Sequence, residues 1–160
     1  MVSTSKDTLL LGVAKETAPV LVNTVTADNQ MDPSVNALTD GGYIICGSIN
    51  YSTPASDVYL IKTDDNGNSL WTKTFGGTEM DRGNYVQQTT DGGYIITGKT
   101  VAFGTGINGI EDLYLIKTDD NGNSLWTKTY GELTSYDYGS SVQQTTDGGY
   151  IITGSTYSFG

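Results

Sequence analysis

The sequence predicts an all-β fold made by tandem repetition of a four-stranded antiparallel unit. Three observations carry this expectation. Tyr59 to Thr74 (YLIKTDDNGNSLWTKT) recurs unchanged at Tyr114 to Thr129, and Val86 to Gly98 (VQQTTDGGYIITG) recurs unchanged at Val142 to Gly154. Each repeat carries two turn signals, Asp-Gly and Asn-Gly, between short runs rich in Tyr, Ile, Thr and Val. The composition, with 21 Gly, 11 Tyr and only 16% charged residues, suits exposed sheet and tight turns better than helix.

A diverged copy, Val35 to Gly47 (VNALTDGGYIICG), places the turn aspartate at Asp40, Asp91 and Asp147, a period of roughly fifty residues. The extra residues between the later copies fall mostly between Lys99 and Glu111, so length varies in one connection. Strands a to d of a unit can then be taken in order. The N-terminal segment matches a second half: Asp7 to Leu11 lies under Asp57 to Ile61, and Leu21 to Val25 under Leu70 to Thr74. That copy has lost the DDNGN turn and offers Lys15, Glu16 and Thr17 instead. In the best-defined unit, Tyr85 to Thr89 and Gly93 to Thr97 flank Thr90-Asp91-Gly92, a residue pair suited to the positive φ of a tight hairpin. Leu113 to Thr118 and Ser124 to Thr129 flank Asp119 to Asn123, where Asn-Gly serves the second hairpin. The apolar runs Tyr94-Ile95-Ile96 and Leu113 to Ile116 fit sheets covered on both faces. The expected organisation is one repeat array over 1–160: a c-d half unit (1–25), two full units (26–75 and 76–130) and an a-b half unit (131–160).

Four short antiparallel strands per roughly fifty residues, joined by Gly-rich turns, is the pattern of β-propeller blades stacked around a channel. A β-solenoid is the alternative, but its coils are shorter and lack paired hairpins. Tyr114-Leu115-Ile116-Lys117, Asp120-Asn121-Gly122-Asn123 and Leu125-Trp126 resemble the third strand, turn and fourth strand of quinoprotein-like propeller blades. DGGYIITG with DLYLIKTDDNGNSLW and TYG is more closely similar to the blade repeats of secreted or surface-attached bacterial and archaeal propeller proteins. The resemblance implies an extracellular or cell-surface setting and a Trp packed between blades, and it carries over no quinone, other cofactor or catalytic residue.

Three blade-equivalents fall short of the ~4 to 8 blades of ordinary propellers, so closure is expected from elsewhere. Head-to-tail association of two chains, each a-b end completing a blade with the c-d start of the other, gives a six-bladed homodimer and removes exposed edges. A piece of a longer array is the competing explanation.

Charge and residue types narrow the function classes. A net charge of −10 repels phosphate backbones and anionic membrane surfaces, so neither nucleic acid nor a membrane is an expected partner. No run approaches the ~20 apolar residues of a membrane span, and Met1 to Ala14, with Leu9 to Leu11 as its only apolar run, does not read as a secretory leader. With no His and the single Cys46, Ser-His and Cys-His catalysis and the usual transition-metal sites are excluded, and no enzymatic activity is expected. Cys46 stands where the later copies have Thr97 and Thr153, the place of a small buried residue.

The DDNGN segments at Asp64 to Asn68 and Asp119 to Asn123 invite a calcium reading, but their spacing is that of a hairpin turn. Trp71 and Trp126 occupy identical repeat positions next to Leu70 and Leu125, with Val22 in the divergent copy, and are expected to pack between blades rather than stack on a sugar. Gln87 and Gln143 fall on the innermost strand, where alternate residues face the channel. Asp81 and Asp137, with Asp32 aligned, lie on the connections between blades. These five are the candidate ligand residues; channel lining and turn capping are the plainer roles. The expected function is a self-assembling scaffold. The alternative is a secreted or surface module that binds carbohydrate or protein through the loops Ser48 to Ser56 and Lys99 to Glu111.

Overall fold

The structure is a computed structural model that describes residues 34–50, 54–104 and 109–157, together with the backbone of 8–15 and 18–26. Every regular element among them is a β-strand. The strands are β1 (Thr8–Lys15), β2 (Ala18–Thr26), β3 (Ser34–Ala37), β4 (Tyr43–Ile49), β5 (Asp57–Thr63) and β6 (Ser69–Phe75). They continue with β7 (Asp81–Gln88), β8 (Tyr94–Thr100), β9 (Asp112–Thr118), β10 (Ser124–Tyr130), β11 (Asp137–Gln144) and β12 (Tyr150–Thr156).

These strands form two four-stranded antiparallel sheets, β3-β4-β5-β6 and β7-β8-β9-β10, and two two-stranded ones, β1-β2 and β11-β12. In each, sequence neighbours are sheet neighbours, as short hairpin connections demand. The repeated four-stranded sheets fit blade-like units, and the first and last sheets contain two strands each.

Turn chemistry explains the hairpins, with one difference from expectation. The Asp-Gly pair does not supply two positive φ angles; only Gly92 (+83°) takes that conformation, at the end of a turn closed by Gly92 N–H to the Thr89 carbonyl at 2.9 Å. Asp91 acts through its side chain instead, accepting from Gly93 N–H at 3.1 Å and from the Thr89 hydroxyl at 2.5 Å. In DDNGN, Asp119 accepts from the N–H groups of Asn121 (3.0 Å) and Asn123 (2.7 Å), and its other oxygen from the Asn123 amide at 2.9 Å. Both oxygens of that carboxylate thus serve the turn. The same set recurs at Asp64.

The sheets from β3 onward stack in sequence order, β7 lying across β4 and β5, and β11 across β8 and β9. One core layer lies between the four-stranded sheets and includes Ile44, Leu60, Val86, Tyr94, Tyr114 and Ile116. A thinner layer, with Ile95, Leu115 and Val142 buried, lies between β7–β10 and β11–β12. Close approach of the layers uses glycine on each crossing strand. A Cβ on Gly83 would stand 2.4 Å from Cys46 Sγ, and one on Gly139 would stand 2.0 Å from Thr97 Oγ1. Cys46 is fully buried there, and burial pushes its thiol well above the usual range, so it sits as a small packing residue.

Candidate functional site

Of the residues singled out in the sequence, Trp71, Trp126, Gln87, Asp81 and Asp137 make contacts between consecutive repeats. Trp71, on β6, packs edge to face on Tyr94 of the next sheet, with ring centroids 5.8 Å apart and planes at 65°. Trp126, on β10, repeats the contact on Tyr150 of β12 at 5.8 Å and 64°. Both indoles are half-buried. The Trp71 ring also covers Gly122, where a Cβ would meet it at 2.8 Å.

Gln87 ties one innermost strand to the next: its Oε1 accepts the Gln144 N–H of β11 at 2.9 Å. Its counterpart on β3, Asn36, donates its amide to the Val86 carbonyl of β7. Gln144 in turn accepts from Thr90 N–H at 2.8 Å, and Asn84 donates to the Gly139 carbonyl at 2.8 Å. Gln143, third in the series after Asn36 and Gln87, is exposed, and no further innermost strand follows it among the described residues.

Asp81 and Asp137 open β7 and β11, and both are buried, at 0% and 7% exposure. Asp81 Oδ2 accepts from Gly77 N–H at 2.9 Å, and its backbone N–H donates to the Ser56 carbonyl at 2.6 Å. Burial raises its carboxyl above the ordinary carboxylate value, and the nearby Asp57 adds to the rise. Asp57 is raised by burial as well. Gly76 separates the two carboxylates; a Cβ there would meet Asp57 Oδ1 at 1.8 Å and Asp81 Oδ2 at 2.9 Å. Gly131 stands in the same relation to Asp112 (2.3 Å) and Asp137 (3.0 Å). Asp32 lies outside the described residues, as do 51–53 and 105–108 of the two loops proposed for ligand contact.

Sequence reasoning missed the aromatic partners Tyr94 and Tyr150, the acid partners Asp57 and Asp112, and the wedge Tyr114. Tyr114, on β9, is buried against the preceding sheet, 5.7 Å from the Phe103 ring. Burial, followed by the charge of Asp81, pushes its hydroxyl up to about 12. Repetition itself was the available signal, since each of these residues recurs in the second copy or is replaced there by a similar one.

The most distinctive surface is β12, open on one edge and on its outer face among the described residues. Tyr94, Ile95, Ile96 and Thr97 are each at most 1% exposed, whereas in the identical segment Ile151 is 59% exposed and Thr153 and Gly154 are open. Tyr157, just beyond, is 71% exposed. β8 is paired on both sides, by β7 and β9; β12 pairs with β11 alone among the described strands. Below this edge lies a cavity of about 390 Å³ bordered by Leu113, Tyr130, Asp137, Ile152 and Gly154. No family model matches the chain, and comparison with curated proteins gives no match either.

Proposed function

We propose that the chain is a non-enzymatic β-propeller scaffold that assembles with a second copy of itself by completing blades. In this reading β11–β12 of one chain and β1–β2 of another make one four-stranded blade. Two chains, each with strands for three blades, close a six-bladed ring, within the ~4 to 8 blades that propellers use. The observation that carries it is the open edge of β12, a strand whose twin β8 has the same five residues YIITG and is covered on its edge and both faces.

Physical chemistry favours covering that edge. Unpaired strand edges invite pairing with another chain. Ile151 exposes apolar surface on the outer face of the sheet, where a further sheet would be stabilised by about 0.8 kcal/mol for each methylene buried. A glycan or protein ligand for the finished ring belongs to the loops and the channel, and would act on the assembled object.

Amide hydrogen exchange tests the reading. Exchange at Ile151 to Thr156 should slow as protein concentration rises, while exchange at Ile95 to Thr100 stays slow at every concentration. Fast, concentration-independent exchange at Ile151 to Thr156 in folded protein would overturn it.

A further inference from the structure

We infer that the cavity beneath β12 is a socket for Leu9 and Leu11 of a second copy, whose β1 pairs antiparallel to β12 with Leu9 opposite Gly154 and Leu11 opposite Ile152. The inference rests on the blade-completion reading and specifies which segment seats, and in which register.

The molecule contains its own template for the contact. Between the four-stranded sheets, the places equivalent to the cavity walls are Val58, Phe75, Asp81, Ile96 and Gly98. There the space is closed by β9, which pairs with β8 so that Tyr114 lies opposite Gly98 and Ile116 opposite Ile96. Both side chains are buried in the core layer, Tyr114 at 3% and Ile116 at 1% exposure. Residues directly opposite in an antiparallel pair project on the same face, so the two fill the space beside Ile96 together.

Between β7–β10 and β11–β12 every wall of that template is present except the third strand. Leu113 replaces Val58, Tyr130 replaces Phe75, Asp137 replaces Asp81, and Ile152 and Gly154 replace Ile96 and Gly98. The cavity of about 390 Å³ is what the missing strand leaves. In the repeat alignment Asp57 to Ile61, Asp112 to Ile116 and Asp7 to Leu11 are equivalent, so the positions of Tyr114 and Ile116 are taken by Leu9 and Leu11. β1 spans both and pairs with β2 alone among the described strands. Applying the β8–β9 register to β12 and β1 brings Ile152 to Leu11, Gly154 to Leu9 and Ser155 to Thr8.

The fit is apolar and incomplete. Leu9 is smaller than the tyrosine it replaces, so the socket is underfilled where the template is full. A tyrosine at position 9 restores the template.

The test uses Cys46→Thr, the residue of the two later copies, as a cysteine-free background. Thr8→Cys is placed on one chain and Ser155→Cys on another, the two are mixed, and the mixture is mildly oxidised. Opposite residues of antiparallel strands lie ~4.5 to 5.5 Å apart at Cα, within reach of a disulfide. A dominant mixed dimer is expected. Thr8→Cys with Thr153→Cys should give under about a tenth as much, since a two-residue offset puts the pair ~7 Å apart. Stronger crosslinking of the offset pair, in protein that is dimeric, overturns the register while leaving blade completion in place. Absence of any mixed crosslink in protein that runs as a folded monomer overturns both. Leu9→Tyr should tighten self-association by about tenfold, a gain of ~1.4 kcal/mol; weaker association in folded dimer-competent protein overturns the socket.

Discussion

β8 and β12 have the same five leading residues, and the structure gives them opposite surroundings. In β8, Ile95 and Ile96 are buried to within 1% of complete, flanked by β7 and β9 and sandwiched between two sheets. In β12, Ile151 is 59% exposed and the strand has one sheet neighbour among the described residues. Intrinsic strand propensity and hydrophobicity are equal by identity, so the difference comes entirely from what stands alongside. A repeat unit cannot bury its own faces, and each copy depends on the next for its stability.

Substitutions made in parallel at the two strands sharpen the contrast. The largest effect is expected from Ile95→Ala, which leaves a cavity among Leu115 and Val142 and should cost about 3 kcal/mol in urea unfolding. Ile151→Ala in dilute protein should cost less than about 0.5 kcal/mol, with the penalty growing toward that of Ile95→Ala as concentration rises. Equal costs at high dilution would break the contrast.

An intermediate effect is expected at the glycines where sheets approach. Gly83→Ala drives a methyl group toward Cys46 and the Gly47 carbonyl, and should lower stability by about 2 kcal/mol as judged by thermal unfolding. Gly148→Ala in the last hairpin meets no atom within 4 Å, yet φ is +84°, so its cost should be about 1 kcal/mol and come from backbone strain alone.

The smallest effect concerns the turn aspartates. Asp91 is held at about 2 by the Thr89 hydroxyl, then by Lys117, whose Nζ lies 2.9 Å from its carboxylate. A depressed carboxylate stabilises the fold above its unfolded value and loses that contribution as pH falls through its folded one. The Asp91 side chain is 56% exposed, and Lys117, though buried, keeps the Thr118 carbonyl at 2.8 Å, so Asp91→Asn, which retains an acceptor oxygen, should cost at most about 1 kcal/mol at pH 7. The difference from the parent should shrink as pH falls from about 5 toward 2. Asp147 is lowered too, by the Thr145 hydroxyl and then Gly149 N–H, so Asp147→Asn should follow the same pH direction. Chemical unfolding against pH, run on both variants, checks the ordering.

The β-strands and both hairpins of each unit were legible in the sequence because exact repetition fixes the period and Asp-Gly and Asn-Gly mark the turns. The mechanism of the first turn was not. Its Asp works through a carboxylate that gathers Gly93 N–H and the Thr89 hydroxyl within the turn and Lys117 from β9, a strand distant in sequence. The site was legible only in outline. Gln87 was visible as an innermost-strand residue, but its bond to Gln144 needs the neighbouring sheet, which no local pattern reports. Asp81 reads from sequence as a loop acid, and its burial beside Asp57 follows from how consecutive sheets stack. The cavity under β12 was least visible of all, since its walls come from two sheets.

The central claim is that the uncovered β12 edge is satisfied by a second copy, and solution mass tests it most directly. Sedimentation equilibrium at micromolar concentration should give twice the 17.0 kDa of a single chain. A fully folded species at the single-chain mass across the micromolar range would contradict it.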